Sequence, residues 1–180
     1  MTGHLWSPWR LEYVTGAKQS ECVFCVAPPH PDSDSLIVFR GTLCYVILNL
    51  YPYNNGHVMV VPFRHVPNLA SLSADELSEI GILTQRSEMA LNEAYNPQGI
   101  NVGINLGKPA GAGVLDHIHV HLVPRWNGDT NFMTVTGEMR VLPESLASSA
   151  ARLRPVFAKF ASPAKAVLGA PGPAKPDTTY

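Results

Sequence analysis

Residues 116–125 read Asp-His-Ile-His-Val-His-Leu-Val-Pro-Arg, and no other stretch restricts the chain so tightly. Strict alternation of imidazole and aliphatic side chains fits a β-strand, whose residues point to opposite faces in turn. Ile118, Val120 and Leu122 then face a core, while His117, His119 and His121 form a row on the other face at a spacing of about 7 Å. A buried imidazole needs partners for its ring nitrogens, so three in register are poor packing material. A metal alone does not explain the row, because only neighbouring members can share one ion at a Zn–N distance of about 2 Å. The row marks chemistry on one face of a sheet.

The flanking segments supply that sheet and its cover. Apolar runs at Ser35–Arg40 and Leu43–Leu48 enclose Gly41-Thr42, a hairpin signal. Pro52, Asn54, Asn55 and Gly56 make a turn before a third strand over His57–Val61. Ser73 with Glu76 three residues on forms a capping box, and Leu77, Ile80, Leu91 and Ala94 fall on one stripe, which predicts a helix from Ala74 to Ala94. Asn96-Pro97 and Gly99 end it. Ile100–Leu106 and His117–Val123 are two more strands joined through the glycine-rich stretch 107–113, and a second helix is predicted from Leu142 to about Phe160. The fold class is α+β: a mainly antiparallel sheet of about five strands with one long and one C-terminal helix. One domain over residues 1–160 precedes a Pro/Ala-rich tail, 161–180.

Composition narrows the setting. The 180 residues carry a net charge of −1, which gives no general attraction to nucleic acid or an anionic membrane. No apolar run approaches the roughly 20 residues of a membrane span, and MTGHLWSPWR lacks the apolar core of a secretory signal. Only 15% of residues are charged, in keeping with a buried subunit contact. Three cysteines are too few and odd in number for a disulfide framework, so a reducing, cytoplasmic setting is expected. Cys22-x-x-Cys25 by itself fits a metal site, a redox pair or free thiols; Cys44, inside LCYVIL, reads as core. His57 reads as a buried hydrogen-bonding residue, and His4 and His30 as exposed.

The 117–123 run resembles the signature of the histidine triad (HIT) family, His-φ-His-φ-His-φ-φ with φ apolar, and Pro124-Arg125 often follows it there. Tyr51–His57 and Val60–Val66 resemble that family's half-site for ribose and base. The resemblance implies a HIT-like fold and a nucleotide substrate. His119 would attack the α-phosphorus through Nε2 to give a nucleotidyl-histidine, and His121 would contact the phosphate or leaving group. Asn105 and the backbone near Gly111 and Gly113 would hold phosphate oxygens. Asn49 stands where the family carries a ribose-binding Asp. Zinc-containing relatives imply one structural zinc on Cys22, Cys25, His65 and His117, a closed tetrahedral set; no organic cofactor is expected.

The branch within the family is marked by departures. Gly113 replaces the Gln usual in the small hydrolases, which opens space beside phosphorus for inorganic phosphate. Trp6-Ser7-Pro8-Trp9-Arg10 and the segment from Pro124 to Met133 resemble bacterial diadenosine tetraphosphate phosphorylases. That resemblance implies phosphorolysis of diadenosine tetraphosphate to ATP and ADP, with Trp126 either stacking on substrate or packing. Hydrolysis of dinucleoside polyphosphates or nucleoside phosphoramidates, and nucleotide sensing without turnover, are the alternatives. A homodimer or higher homo-oligomer is expected, as in the family.

Overall fold

A computed structural model describes residues 21–129 and 144–160. Trp6, Trp9, His4, residues 130–133 and the tail lie outside the described residues, as does the predicted helix start at Leu142. Five strands form one antiparallel sheet: β1 (Ile37–Arg40), β2 (Cys44–Leu48), β3 (Val58–Pro62), β4 (Gly99–Ile104) and β5 (Val120–Arg125). Their order is β1-β2-β3-β5-β4, so β5 is held between β3 and β4. The described helices are a short α1 (Val23–Val26), the long α2 (Ala74–Tyr95) and α3 (Leu146–Ala158).

The α2 cap is the predicted one: Ser73 Oγ accepts from Glu76 N–H, while the Glu76 carboxylate accepts from Ser73 N–H. Arg64 adds an ion pair to that carboxylate, and with these bonds the Glu76 pKa falls to about 2. Leu77 is a correction. It is exposed, because the buried stripe runs through Ile80, Leu83, Ala90 and Leu91.

One residue of α2 ties the helix to the first hairpin. The Glu79 carboxylate accepts from the amides of Thr42, Leu43 and Cys44. A Cβ on Gly41 would come within 2.6 Å of Glu79 Oε1 and 2.9 Å of the Cys44 carbonyl, so only glycine fits the turn.

Strand alternation divides the sheet into two faces. Val46, Leu48, Val58, Val60, Val120 and Leu122 pack with α2 and α3 in the main core. Tyr45, Ile47, Met59 and Val61 point the other way and pack with Phe24 of α1. The β3–β5 register pairs Met59 with His121, which puts His121 on this second face. None of the described helices is long and apolar enough to cross a membrane.

Candidate active site

The predicted strand over His117–Val123 begins only at Val120. Before it, the Ile118 amide donates to the Val66 carbonyl at 2.7 Å, outside the ladder. Freed from the pleat, the three histidines do not form an even row. His119 and His121 meet edge to face with ring centroids 4.7 Å apart, whereas His117 turns to His65, at 5.0 Å.

Hydrogen bonds fix the tautomer of each ring. His119 Nδ1 lies 2.9 Å from the His117 carbonyl, which can only accept. The proton therefore sits on Nδ1, and Nε2 keeps its lone pair. Burial lowers the His119 pKa below the usual histidine value, with the bond to the His117 carbonyl opposing it.

A second chain of bonds sets His121. The Tyr53 amide donates to His57 Nδ1 at 3.1 Å, which leaves the His57 proton on Nε2. That proton points to His121 Nδ1 at 3.0 Å. His121 must then carry its own proton on Nε2. His119 and His121 thus have opposite tautomers, one presenting a lone pair at Nε2 and one a donor. Burial is the main cause of depressed pKa values here: His57 falls to about 3 and His121 to about 4, with neighbouring imidazoles adding to both. His57 is fully buried, and the Tyr53 ring stacks on it at 5.0 Å.

Asn49 is built into this support. Its Oδ1 accepts from the Tyr51 amide at 3.0 Å and its Nδ2 lies 3.4 Å from His57 Nδ1. The turn before His57 is held by Asn54, which donates to the Pro124 carbonyl and to Asp129.

Across the sheet, Gly103 of β4 stands opposite His121. A Cβ there would meet nothing within 4 Å, so open space adjoins the donor histidine. Sequence reasoning passed over Gly103, although period-two counting back from Asn105 reaches it. Asn105 follows the end of β4, where Ile104 pairs with Val120. Its Nδ2 lies 3.8 Å from where a Gly111 Cβ would be. The glycine loop is tightly wound: Gly111 N–H donates to the Lys108 carbonyl and Ala112 N–H to that of Gly107. Those two amides are already used, while no backbone carbonyl among the described residues accepts from Gly113.

Trp126 is placed apart. It lies five residues beyond His121 along the β5 direction, roughly 16 Å at strand rise, and meets the edge of Tyr95 at 6.5 Å. The structure brings His119, His121 and His57 together and places Asn105 and Gly111 side by side. It does not bring Trp126 to them.

Behind the site is a cluster of thiols and imidazoles. His117 Nδ1 lies 3.3 Å from Cys22 Sγ and 3.6 Å from Cys25 Sγ, and His65 Nδ1 lies 3.3 Å from Cys25 Sγ. One ligand atom from each of the four residues falls within 4.8 Å of the others. His117 Nε2 donates to the Pro62 carbonyl at 2.8 Å, which aims the Nδ1 lone pair at the thiols. Donor types, spacing and ring orientation all suit one tetrahedral ion with no open position. Phe24, between the cysteines, packs on His119 at 4.9 Å and on His117 at 5.5 Å. Cys44 is buried, with its thiol pKa pushed up to about 12 by burial and then by Glu79 and Glu76.

Comparison with known proteins agrees with this fold. The HIT domain family model matches residues 30–128. The AP-4-A phosphorylase of Mycobacterium tuberculosis is 42% identical over 151 residues, covering 79% of this chain and 77% of that protein. A bis(5'-adenosyl)-triphosphatase of Dictyostelium discoideum is 33% identical over 129 residues, 68% of this chain and 86% of the relative. Among solved structures, a zinc-bound histidine triad family protein from Mycobacterium smegmatis superposes with a TM-score of 0.62 at 28% identity, covering 78% of this chain and 95% of that one. The ordered tautomers, the sheet that carries them and the matched span together make this chain a member of the HIT domain family.

Proposed function

We propose that this chain is an enzyme that cleaves dinucleoside polyphosphates, by phosphorolysis of diadenosine tetraphosphate to ATP and ADP. The observation that carries the reading is the pair of opposed tautomers. His119 offers a lone pair on Nε2 while its Nδ1–H is held by the His117 carbonyl, and His121 offers Nε2–H beside it.

In the first step Nε2 of His119 forms a bond to the α-phosphorus, and the bond from that phosphorus to the bridging oxygen breaks. ATP leaves with the electron pair, and adenylyl-His119 remains. His121 Nε2–H donates to a phosphoryl oxygen as charge moves toward the leaving group. Phosphate then attacks the same phosphorus and the P–N bond breaks, which gives ADP and returns the lone pair to His119. Asn105 and the Gly113 amide would hold non-bridging oxygens, and Asn49 would hold a ribose hydroxyl by its remaining amide hydrogen.

The similarity to the phosphorylase, extending over most of both chains, supports phosphate as acceptor. The triphosphatase relative supports water as the alternative. Product analysis separates them. Incubation with diadenosine tetraphosphate should give ATP plus ADP only when phosphate is present. ATP plus AMP with or without phosphate makes the enzyme a hydrolase, and no turnover overturns the reading.

Zinc belongs to the same proposal. Cys22, Cys25, His65 and His117 would hold one structural ion, whose chemistry is to neutralise two thiolates and fix the ring of His117. Such a thiol set is kept reduced in a cytoplasmic setting. A homodimer would use β4, an edge strand carrying exposed Val102.

A further inference from the structure

Among the described residues, no lysine or arginine hydrogen-bonds to His57, His119 or His121. Their rings pack on one another and on the aromatic rings of Phe24 and Tyr53. A polyphosphate bridge brings roughly one negative charge per phosphate into that setting, and a cation near the described imidazoles would balance it.

The cations of the described residues are almost all committed elsewhere. Arg40, Arg64, Arg125 and Arg152 pair with Asp32, Glu76, Asp129 and Glu144. Lys159 pairs with Glu93, and Arg154 donates to backbone carbonyls of Ile37, Ser35 and Asp32. Among the described residues this leaves Arg86 and Lys108. Arg86 is on α2, and α2 covers the opposite face of the sheet. Lys108 is exposed and sits in the loop that joins Asn105 to His117.

That loop holds Lys108 in place. It lies in a 3-10 turn, Lys108–Ala110, between Gly107 at φ 81° and Gly111 at φ 92°. Pro109 stiffens the turn, and the Lys108 carbonyl accepts from Gly111 N–H at 3.0 Å. The same Gly111 is the neighbour of the Asn105 amide. The backbone that carries the Lys108 ammonium is therefore held three residues from Asn105, and among the described residues no carboxylate pairs with it.

We infer that Lys108 is the specificity-determining residue for the length of the phosphate chain: its ammonium binds the β- and γ-phosphates of a nucleoside polyphosphate and gives the site its preference over monophosphates. The inference rests on the proposal that the histidine face binds nucleotides, and it does not require turnover.

The test is calorimetric titration with ATP and with AMP, without added divalent cation, of the wild-type chain, Lys108→Gln and Lys108→Arg. The wild type should bind ATP at least about tenfold more tightly than AMP, the scale of one charge-assisted contact. Lys108→Gln should weaken ATP about tenfold while shifting AMP less than twofold, and Lys108→Arg should keep most of the preference. Equal loss for both ligands would assign Lys108 to loop shape and overturn the inference. So would an unchanged ATP affinity, or a wild type that binds neither nucleotide. A chain that shows the ATP contrast yet fails to cleave diadenosine tetraphosphate would sink the proposed reaction alone.

Discussion

Two faces of one sheet are built from alternate residues of the same strands. Toward α2 and α3, β3 and β5 present Val58, Val60, Val120 and Leu122, all apolar and nearly or fully buried. Toward the other side, the same two strands present Met59, Val61 and His121, with His119 just before β5 and His57 just before β3. The helix face is held by volume and area, which many side chains can supply. The histidine face is held by hydrogen bonds that accept one donor and one acceptor each, so a single ring reversed changes what the next ring can do. Stability should therefore be concentrated on the first face and turnover on the second.

The sharpest form of that comparison sets His119→Ala against Leu83→Ala. His119→Ala should remove the lone pair proposed to attack phosphorus and lower kcat by at least about 10⁴-fold, with circular dichroism showing a folded chain. Leu83 is 1% exposed in the core between α2 and the sheet. Its truncation leaves a cavity and should cost about 2–5 kcal/mol in urea unfolding, while kcat per folded molecule stays within twofold. If His119→Ala keeps near-full turnover, the nucleophile has been misassigned.

His57→Asn comes next. It keeps a polar side chain but removes the Nε2–H that fixes His121, so His121 is free to take either tautomer. A fall in kcat of about 10- to 100-fold with KM within threefold is expected, in line with the loss of a bond that orients a functional histidine. Nitrogen NMR of His121 should change from one tautomer to a mixture. A single unchanged tautomer in His57→Asn would overturn the Tyr53–His57–His121 chain of bonds.

The same burial predicts how stability follows pH. His57 near 3 and His121 near 4 are neutral in the folded chain, whereas in the unfolded chain both titrate near 6.5. Between about pH 4 and 6.5 the unfolded state binds more protons, so unfolding free energy rises with pH across that window and levels off above it. The contribution is fully present above pH 6.5 and is lost as pH falls. Thermal unfolding from pH 4.5 to 8 should show this slope, and His57→Asn should flatten it. A flat wild-type profile would mean that the rings are hydrated.

Much of this division was legible in the sequence. Period-two alternation located the core side of β5, and the capping box located the start of α2 at the observed residue. The histidine row was not legible in detail. Alternation predicted equal spacing, but the chain leaves the strand before Val120, because Ile118 bonds to Val66 rather than to a ladder partner. That contact joins residues 52 positions apart, which no local pattern encodes. The four candidate metal ligands were named from family resemblance, and the fold brings them together. For Trp126, left open between stacking on substrate and packing, the fold adds a packing contact with Tyr95. The role of His57 needed the β3–β5 register, which sets His57 beside His121.

The smallest effect is expected at Gly103, where the two faces make opposite demands on one residue. As a strand residue, Gly103 is a weakness: it packs nothing and loses more backbone freedom on folding than any other residue. Its φ is not in the left-handed region, and a Cβ would find open space. On the logic of the helix face, Gly103→Val should be neutral or should raise stability by up to about 1 kcal/mol. On the logic of the histidine face, the same methyls stand opposite His121 and occupy room meant for substrate. KM for diadenosine tetraphosphate should then rise, by about three- to tenfold if the added bulk costs close to 1 kcal/mol of binding. A variant that is more stable and binds substrate less well would show that the open space is functional. A variant that is more stable with unchanged KM would show that Gly103 is an ordinary edge-strand glycine, and that the substrate approaches His121 from the Tyr53 side instead.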